Sequence, residues 1–266
     1  MTLFVHAWGE PGAARVLCLH GVTSHGRHFA KLAEALDGFH VVVPDLLGHG
    51  SSPYEPPWSI GAHLDALLET VGEEPGMVVG HSFGGRLAFE LAAKRPELVT
   101  RLVLLDPAIL IPPHVALHAA ENARKDRAYV SFDEGVDRRF EESQLHRAPR
   151  ELVVEELASH LVVDDDGRYR YRYCQAAVVA AYGEMASDPP PFEQVRVPTL
   201  LVLGERSYVP YDLLLEAHQS ALGDLLDLRV LPCGHTVLWD ALDETVEAVA
   251  AFLGQPAEAS AASSAS

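Results

Sequence analysis

Runs of β-branched and leucine residues recur at 16–19, 41–43, 77–79, 102–105, 200–203 and 228–231. Apart from Arg229 in the last run, each is apolar at every position instead of at alternate ones, the mark of a strand buried on both faces, as in a parallel sheet covered by helices. Between the runs the period lengthens. After Ser59, which can cap a helix, Ile60, Leu64, Leu67, Leu68 and Val71 fall on one face, and Leu242, Val246, Val249 and Leu253 repeat the pattern near the end. Such stripes are core packing and imply no activity. The alternation predicts an α/β fold, a mostly parallel sheet flanked by helices.

The rhythm breaks between Pro107 and Arg196, where about 90 residues replace the short helix expected before the next strand. Helical patterns cover 115–127, 150–161 and 173–186, with turn clusters at 164–167 and 188–191. The expected organisation is a core from 1–106 and 197–254, a mostly helical insertion over 107–196 and a disordered tail at 255–266, which is rich in alanine and serine. Within the insertion, Tyr169, Tyr171 and Tyr173 alternate with Arg168, Arg170 and Arg172. That pattern reads as a short strand with one aromatic face in preference to a nucleic-acid strip.

Candidate chemistry begins at Gly80-His81-Ser82-Phe83-Gly84-Gly85, between the run 77–79 and a helical segment at 86–95. A strand that reverses into a helix within a residue or two holds its central residue exposed and strained, and glycines on either side remove colliding side chains. Ser82 is therefore the candidate nucleophile. The helix N-terminus aimed at it makes the Phe83 N–H a candidate oxyanion donor. A glycine-rich turn with a capping serine is the structural alternative.

With three further motifs in order, Leu19-His20-Gly21-Val22, then Asp45 to Ser52 with Gly48 and Gly50, then Gly234-His235, the chain resembles the α/β-hydrolase superfamily over most of 1–254. The resemblance implies that the 107–196 insertion is a helical cap over the active site. It also implies an order of serine, acid and histidine along the chain, which selects His235 from 14 histidines as general base. The Val22 N–H is the second expected oxyanion donor. Asp45 is expected to hold its glycine-rich turn by accepting backbone N–H bonds, and His20 and His81 to pack and hydrogen-bond beside the site. Cys233 is a rival nucleophile without an elbow.

The sequence departs from the family at the acid. Most members carry it in a Gly-x-x-Asp turn after the next-to-last core strand, but here the turn reads Gly204-Glu205-Arg206-Ser207. Asp106, ending the strand after the elbow helix, is the expected substitute, a place some members use. Glu205 and Asp212 are the rival acids.

Composition narrows the partners. The net charge of −18 disfavours nucleic acid and anionic membrane surfaces, leaving small neutral substrates as the expectation. Three scattered cysteines suit a reducing, cytoplasmic setting, and neither a leader nor a membrane span is expected. No cofactor is implied. No metal is expected: the histidines are scattered, and His25 and His28 are taken to have no nearby carboxylate or cysteine that would complete a site. The oligomeric state is left open.

The leading reading is a serine hydrolase that cleaves a small, largely apolar ester or lactone through an acyl-enzyme. Carbon-carbon hydrolysis of a diketone uses the same residues. A non-catalytic small-ligand-binding protein of the same fold is the alternative from another class. Epoxide hydrolysis and dehalogenation are disfavoured, because family members with those activities have aspartate where Ser82 stands.

Overall fold

The computed structural model describes residues 1–254, so the tail expected at 255–266 lies outside the described residues. Seven strands form the main sheet: β1 (Val5–Trp8), β2 (Ala14–Leu19), β3 (Phe39–Pro44), β4 (Gly76–His81), β5 (Val99–Leu105), β8 (Thr199–Gly204) and β9 (Leu226–Leu231). Their spatial order is β1-β3-β2-β4-β5-β8-β9, and only β1 runs antiparallel to its neighbour. A short hairpin of β6 (Leu161–Val163) and β7 (Tyr169–Tyr171) stands apart. The six apolar runs predicted from sequence are the six parallel strands. β1 was not anticipated: four partly exposed residues at an edge carry too little apolar signal.

Side chains alternate across the sheet as the pleat requires. Leu17, Leu19, Leu102 and Leu104 face one core with α2 (Ile60–Val71), α3 (Phe83–Lys94) and α8 (Asp212–Leu222). Val16, Cys18, Val103 and Leu105 face the other with α1 (Ala30–Ala35) and α10 (Leu242–Leu253). The Ser59 hydroxyl accepts from the Ala62 N–H at 3.2 Å, capping α2 as its sequence predicts.

The chain winds outward from β2 to β3 and then crosses back to β4. The carboxyl ends of β2 and β4 therefore flank the point where strand order reverses, the usual position of a ligand site in an open α/β sheet.

Between the neighbouring strands β5 and β8 lie α4 (Pro113–Ala123), α5 (Phe132–Glu142), α6 (Arg150–Leu157), the β6–β7 hairpin and α7 (Gln175–Met185). This segment has a small core of its own, including Tyr129, Val136, Val153, Leu157 and Tyr171, into which Trp239 of α9 (Val237–Asp240) inserts. Arg86, fully buried on α3, holds both ends of the segment. It donates to the carbonyl of Ile109 at the entry and to those of Ser187 (3.0 Å) and Asp188 (3.1 Å) at the exit, while pairing with Glu90. Arg170 of the Tyr/Arg stretch lies against Asp126, Asp164 and Asp166. Among the described residues no helix is long and apolar enough to cross a membrane.

Candidate active site

Ser82 sits between β4 and α3 with φ 55° and ψ −118°, a left-handed backbone that a non-glycine residue adopts only when its surroundings impose it. The glycines make that possible. A Cβ on Gly80 would lie 2.3 Å from the Gly84 carbonyl oxygen, and one on Gly84 would lie 2.0 Å from that of Leu19. Strand, helix and the end of β2 thus meet at backbone distance around the serine. The first backbone bond of α3 runs from the Arg86 N–H to the Ser82 carbonyl (3.1 Å), so the Phe83 N–H has no acceptor within its helix. Val22 follows β2 and lines the same cavity as Ser82. Thr23, in a left-handed conformation (φ 63°), presents its carbonyl to two donors from the inserted segment, His160 Nε2 at 3.0 Å and Arg139 Nη2 at 3.3 Å.

Asp106 terminates β5, also with positive φ (41°). Its Oδ1 accepts from the Gly204 N–H at 2.8 Å, and its Oδ2 accepts from His235 Nδ1 and from the Ser207 hydroxyl, each at 2.5 Å. A carboxylate only accepts, so Nδ1 carries the proton and Nε2 keeps its lone pair in neutral His235. Ser207 occupies the turn position where an aspartate is usual in similar proteins, and there it is a donor to the displaced acid. Its oxygen in turn accepts from the Val209 N–H at 3.1 Å. Glu205 and Asp212 are both exposed, and neither pairs with His235.

Ser82 and His235 line one cavity of about 440 Å³. The structure thus brings Ser82, His235, Asp106, Val22 and Phe83 to neighbouring strand ends and leaves Glu205 and Asp212 outside. Cys233 is buried and its thiol is pushed up to about 12 by burial first and by the charges of Asp240 and Asp106 next, which suits an inert thiol.

The surrounding histidines are held neutral. His20 uses both nitrogens, Nδ1 to the Gly21 carbonyl (2.8 Å) and Nε2 from the Leu46 N–H (2.9 Å), and burial sets its basicity well below the ordinary imidazole range. Burial does the same to His81, whose Nε2 donates to the His235 carbonyl at 3.1 Å. Asp45 accepts from the N–H groups of Gly26 (2.7 Å) and Ser51 (2.8 Å) and from His6 (3.2 Å). Burial opposes its ionisation, but those bonds hold the carboxyl well below the usual carboxylate range.

One expectation needs correcting. His25 and His28 do have a carboxylate beside them: Glu156 of α6, which accepts from His28 Nδ1 at 2.9 Å and lies 3.8 Å from His25 Nε2. It also accepts from Trp239 Nε1 at 2.5 Å. Sequence separation of 128 positions hid this contact. No group of three or more candidate ligands that could hold a metal occurs among the described residues.

Sequence reasoning also missed Asp240 and Arg139. Asp240 Oδ2 accepts from the Gly234 N–H (2.8 Å), while Oδ1 accepts from the N–H groups of His146, Arg147 and Ala148, tying the His235 turn to the inserted segment. Arg139 lies on α5, a helix whose start was legible in Ser131-Phe132-Asp133-Glu134, a capping sequence; the Ser131 hydroxyl accepts from the Glu134 N–H at 3.1 Å.

Comparison with known proteins finds a family model described as the alpha/beta hydrolase fold matching residues 14–131. Lipase LipV of Mycobacterium tuberculosis (strain ATCC 25618 / H37Rv) is 40% identical, the alignment covering 88% of this chain and 91% of that protein. The sn-1-specific diacylglycerol lipase ABHD11 of Mus musculus is 30% identical over 92% of this chain and 82% of its own. Among solved structures, E-2-(acetamidomethylene)succinate hydrolase superposes with a TM-score of 0.83 at 25% identity, covering 95% of each chain.

Proposed function

The chain belongs to the α/β-hydrolase superfamily, and from that premise we propose that it is a serine hydrolase of small, largely apolar esters or lactones. The observation that carries the reading is the Asp106–His235 pair at 2.5 Å, with His235 and Ser82 lining one cavity at the point where strand order reverses. Relatives named as lipases support the ester as substrate class.

In this reading His235 Nε2 takes the proton of the Ser82 hydroxyl as the oxygen attacks the ester carbonyl. Negative charge gathers on the carbonyl oxygen and is met by the N–H groups of Val22 and Phe83. The tetrahedral species collapses as His235 gives its proton to the leaving alkoxide, and the alcohol departs. Water then enters, loses a proton to His235 and attacks the acyl-enzyme; the second collapse returns the proton to Ser82 and frees the acid. Asp106 fixes the Nδ1–H tautomer and stabilises the imidazolium, with Ser207 and the Gly204 N–H holding the carboxylate in place. Residues 107–196 serve as the cap, with Ile111, Val115, Tyr182 and Met185 supplying an apolar wall for the hydrocarbon part of the substrate.

The test is turnover of a p-nitrophenyl acyl ester by the wild type and Ser82→Ala. The expected loss is roughly 10⁴-fold or more, with little change in thermal unfolding, since elbow geometry depends on the glycines. A variant retaining more than about a few per cent of the rate would sink the assignment.

A further inference from the structure

Among the described residues, one charged side chain in the cavity has no counter-ion in hydrogen-bond contact. Arg139 is 7% exposed and lines the cavity, yet among those residues its guanidinium makes a single hydrogen bond, Nη2 to the Thr23 carbonyl at 3.3 Å, and its buried Nε finds no partner. Two aromatic faces cover the cation, Tyr171 at 4.4 Å and Trp239 at 5.8 Å from the ring centroids. The acids that share the cavity are committed elsewhere. Glu142 lies 3.4 Å from Arg127, Glu156 is bonded to His28 and Trp239, and no carboxylate among the described residues forms an ion pair with Arg139.

A buried guanidinium offers five donors in a planar fork and loses its hydration on burial, a cost that remains while the donors are unmatched. The ligand that matches the fork is a carboxylate, which can accept two parallel N–H bonds. A single negative charge fits better than two, because Glu142 and Glu156 already face the same space. The apolar wall of α4 and α7 leaves room for methylene groups between such an anchor and Ser82.

Resting on the hydrolase reading above, we propose that Arg139 is a recognition site for a carboxylate on the substrate, set apart from the scissile ester by a short hydrocarbon spacer. The enzyme then favours half-esters of dicarboxylic acids, or esters whose alcohol part bears an acid, over neutral esters of equal length.

The experiment compares matched pairs in the full-length protein: monomethyl adipate with methyl hexanoate for a carboxylate on the acyl side, and carboxymethyl butyrate with ethyl butyrate for one on the alcohol side. The wild type is expected to show kcat/KM at least about 10-fold higher for the acidic member of one pair, consistent with a charged hydrogen bond. Arg139→Met should erase that preference while changing the neutral ester less than about threefold, and Arg139→Lys should retain part of it. Preference for the neutral member in both pairs overturns the proposal. So does an equal loss on acidic and neutral esters in Arg139→Met, which would assign the arginine to holding Thr23. Calorimetric binding of adipamate, the singly charged half-amide of adipic acid, against neutral hexanamide to the wild type needs neither ester turnover nor a folded variant. Adipamate at least about 10-fold tighter supports the site even if no ester is cleaved; equal or weaker binding removes it even if esters are.

Discussion

The strand-end side of the cavity and the inserted side are held in place by different means. Ser82, Asp106 and Thr23 all have positive φ at the end of a parallel strand or in the turn just beyond one, imposed by backbone packing and by glycines that nothing larger can replace. The segment 107–196 is held by side chains. Arg86 grips its two ends, Asp240 its α5–α6 loop, Glu156 its α6 helix, and Arg139 with His160 reaches back to Thr23. Backbone-imposed geometry is insensitive to pH and to most substitutions. A joint made of buried charges and histidines is sensitive to both.

The largest expected effect falls on the strand-end side. Asp106→Asn should lower kcat by about two to four orders of magnitude, since it removes both the tautomer control and the charge that stabilises the imidazolium. Glu205→Gln and Asp212→Asn should leave the rate nearly unchanged. The reverse pattern in parallel kinetic assays would move the acid away from β5.

Acid should act on the other side. His25, stacked 4.4 Å from His160 across the joint, is lowered to about 4 by burial, with Glu156 and Asp45 opposing that shift. His49, whose backbone bridges to Tyr173 of the segment, is lowered to about 4 by burial, and burial sets His160 well below the ordinary range. Their folded pKa values lie below the unfolded value near 6.5, so their contribution to stability is complete above about pH 6.5 and is lost as pH falls toward about 4. Between pH 7 and 5 the melting temperature should drop by roughly 10 °C. Limited proteolysis should cut within 107–196 before the sheet is attacked. Cleavage starting in the core strands would contradict the division between the two sides.

A smaller effect is expected at the link between them. Asp240→Asn keeps the size but removes the charge that four backbone N–H groups surround, at a cost of about 1–3 kcal/mol. Thermal melts should register that loss together with a several-fold drop in kcat as the Gly234–His235 turn loosens. A variant that loses stability but keeps kcat would show that His235 is positioned by Asp106 alone.

The same division explains what could be read from sequence. The six parallel strands were legible because each contains a short apolar run, broken only by Arg229 in β9, and the Ser82 turn because glycines on both sides of a serine between a strand and a helix have few other uses. Asp106 was reachable through an absence, the serine at 207, although nothing in the sequence shows that Ser207 turns its hydroxyl onto that same carboxylate. Arg139, Glu156 and Asp240 were not legible: the hydrogen-bond partners of their side chains lie 83 to 128 positions away, Gly234 excepted. A charged residue on a helix reads as a solvated face until its neighbours are known. The capping sequence at Ser131 was the one local signal for α5 that could have been used.

The central claim is that Ser82 is an activated nucleophile, and a fluorophosphonate tests it most directly. Intact mass and peptide mapping should show one adduct per chain, on Ser82, formed far more slowly in Asp106→Asn and absent in Ser82→Ala. An unlabelled wild-type protein, or an adduct on any other residue, would contradict the account.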